Sequence, residues 1–443
     1  MDSAKTVSIQ HVINNQRFSK VQWQVLILCF LIVVIDGFDT VLMGYIAPAV
    51  VNDFKVDGAV LGPAMSAALV GLSLGSIFAG PLADRFGRRS VLTISVTVFG
   101  LLSLATAVAD SIQTLTILRF LTGLGLGAAM SNAITLISEY APENRRSLLI
   151  NIVFCGFPLG AAVGGVISAW IIPHFGWQGV LILGGILPLF LSLFLFFLLP
   201  ESLRYLALKG GSEDNNNIRR ILSKMTGDTL NDINKFTFDG EEVIYKSSIK
   251  TVLSNRFLVG TTMLWITYCM GALVFYVLTS WMPFLMNDVG FSISMAATLT
   301  GLFPLGGVIS TVFSGWLMDR INPHKVVATN YALAGILVFF IGQEENVLLL
   351  SILIFLAGIT MNGAQASMGA ISAQFYPTHC RATGVAWMLG FGRFGGIFGI
   401  LFGAELIKLE LSHGTIFAIL SIPAIIAALS LTFKDVSYRR YKI

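Results

Sequence analysis

Gly80-Pro81-Leu82-Ala83-Asp84-Arg85-Phe86-Gly87-Arg88-Arg89 is a short charged interruption between two apolar runs, and it has an echo. Asp84-Arg85 returns as Asp319-Arg320, 235 residues later. Pro142 and Arg146 return as Pro377 and Arg381 at the same shift, and Gly160 and Gly164 return as Gly395 and Gly399. A constant offset across three separated motifs marks an internal duplication. The chain therefore consists of two halves that run in the same direction.

The surroundings of this stretch fix its medium. Hydrophobic residues make up 55% of the chain and charged residues 12%, about half the charged share of a soluble protein. So apolar a chain cannot cover itself with polar surface, and lipid is its solvent. Twelve apolar runs long enough to cross a bilayer follow one another: 22–47, 60–82, 90–109, 112–138, 147–172, 177–199, 257–285, 294–318, 325–342, 347–374, 382–407 and 414–433. Of the 28 Lys and Arg, 24 fall in segments that share one side under this count. Lys55 and Lys408 fall on the other side, and Arg119 and Arg393 inside runs. By the positive-inside rule both termini are cytoplasmic. The expected organisation is a tail at 1–21, a six-helix bundle at 22–200, a linker at 201–256, a second bundle at 257–433 and a tail at 434–443. The fold class is all-α integral membrane.

Nothing in the pattern supports an enzyme. The chain lacks zinc-type Cys/His spacing, a phosphate loop and an HExxH helix, so no metal, cofactor or nucleic acid is expected. Cys29, Cys155 and Cys269 fall in runs and Cys380 in a cytoplasmic loop, so no disulfide is expected.

Gly80–Arg89 resembles the loop signature of the major facilitator superfamily, and Gly315–Lys325 is its degraded second copy. Arg119 with Gly123, Gly125 and Gly127 resembles that superfamily's fourth-helix signature. Asp36-Gly37-Phe38-Asp39 is narrower, as are Tyr376-Pro377-Thr378, Arg381-Ala382-Thr383-Gly384 and Gly392-Arg393. Together they resemble the aromatic acid:proton symporters of bacteria. The resemblance implies two pseudo-symmetric six-helix bundles in a bacterial cytoplasmic membrane. It implies import of a benzoate-type acid, with protons as the coupling ion. It also implies a latch at the inner rim, built from Gly80, Asp84, Arg85, Gly87, Arg88, Arg89, Glu139, Arg145, Arg146, Asp319, Arg320 and Arg381. There Glu139 is expected to face Arg145 and Arg146. Pro200-Glu201-Ser202-Leu203-Arg204 resembles a signature shared with sugar porters and does not discriminate.

The residues themselves argue for function independently. Asp36, Asp39, Arg119 and Arg393 lie inside apolar runs, at a joint cost on the order of 10 kcal/mol. At ~1.5 Å per residue, Asp39 sits ~12 Å, Asp36 ~16 Å and Arg119 ~10 Å from the outer surface, and Arg393 ~16 Å from the inner one. The duplication gives none of them a partner: they map to Gly271, Val274, Ile354 and Pro158. Two acids suit proton carriage, because a carboxyl near a like charge and away from water holds its proton more readily. Two arginines suit an organic anion, because a guanidinium fork matches a carboxylate. Arg119 has a competing role as counter-ion to Asp39, and Arg393 as a donor to backbone at a glycine-lined crossing. Which arginine holds the carboxylate stays open.

The seventh run carries Tyr268 and Tyr276 as candidate ring walls, with Trp281 as an interface anchor. Asn362 and Gln365 are candidate donors to a ring hydroxyl or carboxylate, or else interhelical glue. The expected partners are a small aromatic acid, protons and the bilayer, and a monomer suffices. Three rivals stand beside symport of an aromatic acid. They are efflux by antiport, symport of a sugar or other neutral solute, and an acid sensor that moves nothing.

Overall fold

The computed structural model describes residues 6–227, 233, 235–237 and 249–440. The remaining parts of the two tails and the linker lie outside the described residues. A short strand β1 (Thr6–Ser8) and α1 (Ile9–Asn15) lead into α2 (Lys20–Phe54). Then come α3 (Gly62–Phe86), α4 (Arg88–Thr106), α5 (Ile112–Tyr140) and α6 (Arg146–Leu198). The linker holds α7 (Leu203–Lys209), α8 (Ser212–Thr226), β2 (Lys235–Thr237) and α9 (Ile249–Val252). The second half is α10 (Leu258–Asp288), α11 (Ile293–Met318), α12 (Pro323–Ile341), α13 (Val347–Phe375), α14 (Thr378–Lys408) and α15 (His413–Arg440).

Helix starts follow local chemistry. Ser19 closes a capping box with Gln22, and Ser111 and Ser292 cap α5 and α11. Asn322 and Asn346 each accept two backbone N–H groups at the starts of α12 and α13. Among the described residues, eleven helices are long and apolar enough to cross a membrane.

One of the eleven is not a single rod. The α6 helix has 53 residues, so a straight rod would run ~80 Å, far beyond ~30 Å of hydrocarbon. It breaks at Gly176 (φ 69°, ψ −178°). Space around Gly164 and around Gly184 is closed by the same ring, Phe38. Those glycines would stand ~30 Å apart in a straight helix. The helix therefore doubles back at Gly176, and both arms pack on α2.

The 235-residue offset reappears as geometry. Gly160 lies against the Val34 carbonyl and Gly395 against the Cys269 carbonyl, and 34 and 269 are themselves 235 apart. Gly164 meets Phe38 while Gly399 meets Leu273, and Gly123 meets Ala68 while Gly358 meets Phe303. The crossings of α2 on α6 and α3 on α5 are thus rebuilt by α10 on α14 and α11 on α13. Each close crossing exists because a glycine lets two backbones touch.

The two halves meet at the end far from the Gly80–Arg89 loop. Gly44 of α2 lies on the Thr279 carbonyl of α10, and Ser294 of α11 bonds Ala169 of α6 at 2.7 Å. Gly62 of α3 meets Ala404 of α14. Toward the loop, the charged end, α3 and α14 part. Beyond Gly75 only Ala79 and Ala83 of α3 are buried. Leu82, Phe86, Trp387 and Leu389 are exposed, and Gly80 and Gly390 face open space. The bundles are closed at the far end and cleft at the charged end.

Two sequence expectations need correction. Trp281 is no interface anchor: it is fully buried and donates to the Ile400 carbonyl at 2.9 Å, sealing α10 on α14. Cys380 lies in the buried first turn of α14 and not in a loop. All four cysteines are free.

The crossing glycines give a contrast. Gly395→Leu should cost about 1–3 kcal/mol or more through overpacking and lower the melting temperature in detergent. Gly369→Ala, which faces open space, should leave stability unchanged or raised by about 0.5–1 kcal/mol. Heating followed by size-exclusion chromatography of the surviving fraction measures both.

Candidate functional site

Asp39 of α2 and Arg119 of α5 form a sealed ion pair. The Nη1 of Arg119 donates to both carboxylate oxygens at 3.2 Å, and neither side chain has any exposure. The other arm, Nη2, reaches the hydroxyls of Thr106 at 3.3 Å and Thr122 at 3.4 Å. One guanidinium of α5 thus ties α2 to the last residue of α4 and to its own helix at Thr122. A cation enclosed this way spends one arm on Asp39 and the other on two threonines, and offers neither to a cavity.

Asp36 lies one turn from Asp39, and its surroundings differ. It is buried, and neither carboxyl oxygen has a hydrogen-bond partner. Arg393 of α14 acts on it electrostatically. The Nη1 of Arg393 donates to the Leu72 carbonyl of α3 at 3.3 Å and to the Ser76 hydroxyl. Arg393 therefore reaches from the second half into the first at mid-depth, and its side chain remains partly open.

The backbone explains why Arg393 sits there. Gly392 and Gly396 of α14 lie against the rings of Tyr268 and Tyr276 of α10, and Gly395 against the Cys269 carbonyl. With α14 pressed onto α10 by glycines, Arg393 is left to point across the interface. Both tyrosines share its electrostatic field, and Tyr276 shares that of Asp36 too. Asp36, Arg393, Tyr268 and Tyr276 thus form one mid-depth cluster drawn from both halves.

Asn362 and Gln365 stand differently. The Asn362 amide donates to the Gly358 carbonyl at 2.8 Å and the Phe303 carbonyl at 3.4 Å, which knits α13 to α11. Gln365 accepts from the Tyr331 hydroxyl at 2.7 Å and donates to the Tyr268 carbonyl at 3.4 Å. It braces the cluster from behind. Sequence reasoning missed Tyr331 and Ser76; an unrepeated buried tyrosine in an apolar run was the available signal for the first.

At the charged end the expected pairings are redrawn. Glu139 pairs with Arg88 at 2.9 Å and accepts from the Ser202 hydroxyl at 2.5 Å, rather than facing Arg145 and Arg146. Arg146 instead bonds Gln10 of α1 at 3.1 Å, and Arg145 is exposed. Glu201 accepts the backbone N–H of Arg89 at 3.1 Å and so caps α4. Its carboxylate lies against Gly87, whose φ of +87° suits glycine alone. Asp84, Arg85 and Asp319 are exposed, and Arg320 lies over the Trp316 ring at 4.2 Å. Arg381 is exposed and its Nε donates to the Tyr376 carbonyl at 3.4 Å.

The family model of the Major Facilitator Superfamily matches residues 28–342 and 264–442. A 4-hydroxybenzoate transporter, PcaK, of Acinetobacter baylyi is 48% identical over 434 residues, covering 97% of this chain and 94% of that one. A gallate transporter of Pseudomonas putida is 45% identical, covering 96% and 94%. The crystal structure of a D-xylose-proton symporter superposes with a TM-score of 0.71 at 17% identity, covering 92% of this chain and 97% of that one. That likeness speaks for the fold alone.

The sealed pair gives a stability test. Asp39→Asn should cost about 3–5 kcal/mol by leaving Arg119 buried and uncompensated. Asp39→Asn combined with Arg119→Gln should recover much of that loss. Melting of the purified single and double variants measures the coupling.

Proposed function

The chain belongs to the major facilitator superfamily, and from that premise we propose that it imports an aromatic carboxylate of the hydroxybenzoate class together with protons. The two arms of α6 each cross the bilayer, which makes twelve crossings in two bundles of six, at 22–200 and 257–433. Both termini and the 201–256 linker lie in the cytoplasm, on the side that holds 24 of the 28 Lys and Arg. The membrane is the bacterial cytoplasmic membrane, and one chain is the working unit. The cleft at the charged end then opens inward, and rocking the bundles about the mid-depth cluster reverses it.

The observation that carries this reading is the placement of Arg393. It is a partly open guanidinium at mid-depth, on the interface between the halves, flanked by Tyr268 and Tyr276 and within electrostatic reach of the unbonded Asp36. A fork of this kind binds a carboxylate bidentately, and flat aromatic walls take the ring. Asp36 supplies the coupling. When ionised it competes with the acid for Arg393; when protonated it releases the guanidinium to the substrate. Loaded substrate and proton therefore travel together. Asp39 stays tied to Arg119 and sets the field in which Asp36 titrates, so Arg393, and not Arg119, takes the carboxylate. Gln365 orients Tyr268, and Asn362 holds the wall behind it.

The charged end acts as the latch. Arg88, Glu139, Ser202 and Glu201 make the base of the first bundle one rigid piece. The exposed Asp84, Arg85, Asp319, Arg320 and Arg381 are the groups that meet when the inner cleft closes.

Uptake of labelled 4-hydroxybenzoate into proteoliposomes tests the whole reading. Accumulation above protein-free vesicles should rise as external pH falls and collapse with a protonophore. Uptake that ignores the pH gradient removes proton coupling, and binding without uptake makes the chain a sensor. Arg393→Lys should lose tenfold or more in kcat/KM although charge is kept, because ammonium lacks the fork. An analogue with an amide in place of the carboxylate should bind wild type poorly and Arg393→Ala no worse. Normal transport by Arg393→Lys would refute the bidentate contact.

A further inference from the structure

Arg393 spends only part of its guanidinium inside the protein. Of its N–H groups, those of Nη1 go to the Leu72 carbonyl at 3.3 Å and to the Ser76 hydroxyl, both on α3 of the other half. Nε and Nη2 bond nothing among the described residues. A guanidinium has two edges that fit a carboxylate, Nη1 with Nη2 and Nε with Nη2. With Nη1 occupied, the Nε–Nη2 edge is the complete fork that remains.

The two acceptors are well fixed. Gly71 and Gly75 of α3 lie on the Phe120 and Leu124 carbonyls of α5, and Gly127 of α5 lies on the Leu72 carbonyl. Ser76 therefore moves with the first half. Its own hydroxyl donates to the Ser73 carbonyl at 2.9 Å, so its oxygen lone pairs are left for the guanidinium. Arg393 moves with the second half, because Gly392, Gly395 and Gly396 press α14 onto α10. Both acceptors are also neutral. They turn the cation without cancelling its charge, so the field that draws an anion is kept. An ionised carboxyl in their place would take the charge along with the orientation.

We propose that Ser76 is a positioning residue of the carboxylate site: its hydroxyl pins Nη1 of Arg393 and so presents the Nε–Nη2 edge to the substrate. The inference rests on the reading of Arg393 given above. It makes the seat for the acid a product of both halves, since the fork comes from α14 and its orientation from α3. Ser76 stands just beyond Gly75, where α3 begins to leave α14. Further parting of the bundles at this level draws the anchor away from Arg393 and loosens the acid.

Equilibrium dialysis of the purified full chain with labelled 4-hydroxybenzoate, together with initial rates in proteoliposomes, tests this. Ser76→Ala should raise Kd roughly tenfold, the worth of one hydrogen bond to a charged group. Its KM should rise by a similar factor while kcat stays within about twofold. Ser76→Thr, which keeps the hydroxyl, should restore both. In an Arg393→Lys background the alanine change should cost less than about twofold, because an ammonium has no edge to turn. Wild-type affinity in Ser76→Ala, with binding lost in Arg393→Ala, overturns the role of Ser76 and spares that of Arg393. Equal losses in Ser76→Ala and Ser76→Thr, or an undiminished loss in the Arg393→Lys background, would make Ser76 a packing residue and overturn the proposal. Wild-type binding by Arg393→Ala overturns both readings.

Discussion

Charge inside hydrocarbon is the constraint on which this structure turns. An intramembrane ion costs a few kcal/mol even on the most lenient scale, so it must be paired, hydrated or protonated. Asp39 and Arg119 satisfy the first condition, with the Arg119 Nε alone of the pair's polar atoms left without a partner. Their pair is enclosed, bidentate at the carboxylate, and braced by Thr106 and Thr122. It fixes the middle of the first bundle as one body. Asp36 and Arg393 satisfy the first condition only in part. They sit in opposite halves, and the strength of their interaction depends on how those halves lie. A charge interaction that no bond locks, and that changes with bundle position, is what the proposed coupling requires, and a sealed pair beside it keeps the change local.

The duplication explains why this asymmetry was affordable. Backbone crossings at Gly160 and Gly395, at Gly164 and Gly399, and at Gly123 and Gly358 repeat at one offset. They set the same backbone crossings in each half. The four intramembrane charges lie outside the repeat, so the scaffold crossings do not depend on a charge at the matching positions. Pro158 occupies the position that Arg393 holds in the other half. The fold does not demand a cation there.

How much was legible follows from the same physics. The repeat and the intramembrane charges stood out because lipid makes glycine crossings and buried ions conspicuous in an apolar chain. The pairing of Arg119 with Asp39 was legible as one of two open roles, from their similar depth together with the superfamily resemblance that puts their two helices in one bundle. Partners at the charged end were less legible. In water, Arg88, Arg145 and Arg146 are equivalent near Glu139, and packing of α4 on α5 chose Arg88. Trp281 looked like an anchor because tryptophan favours interfaces, yet the glycine at 403 opened a slot that buries it. The parallel pairing of β1 with β2, Thr6 opposite Lys235, joins the tail to the linker across more than two hundred residues, and no local pattern announces such a contact.

The central claim is that Asp36 carries the proton while Arg393 carries the acid. Counterflow and gradient-driven accumulation separate the two in one variant. In proteoliposomes, Asp36→Asn should exchange internal for external 4-hydroxybenzoate, because a neutral amide leaves Arg393 free for the carboxylate. It should fail to accumulate the acid when the interior is made alkaline, because it has no proton to release. Accumulation equal to that of wild type under the same pH gradient would contradict the account.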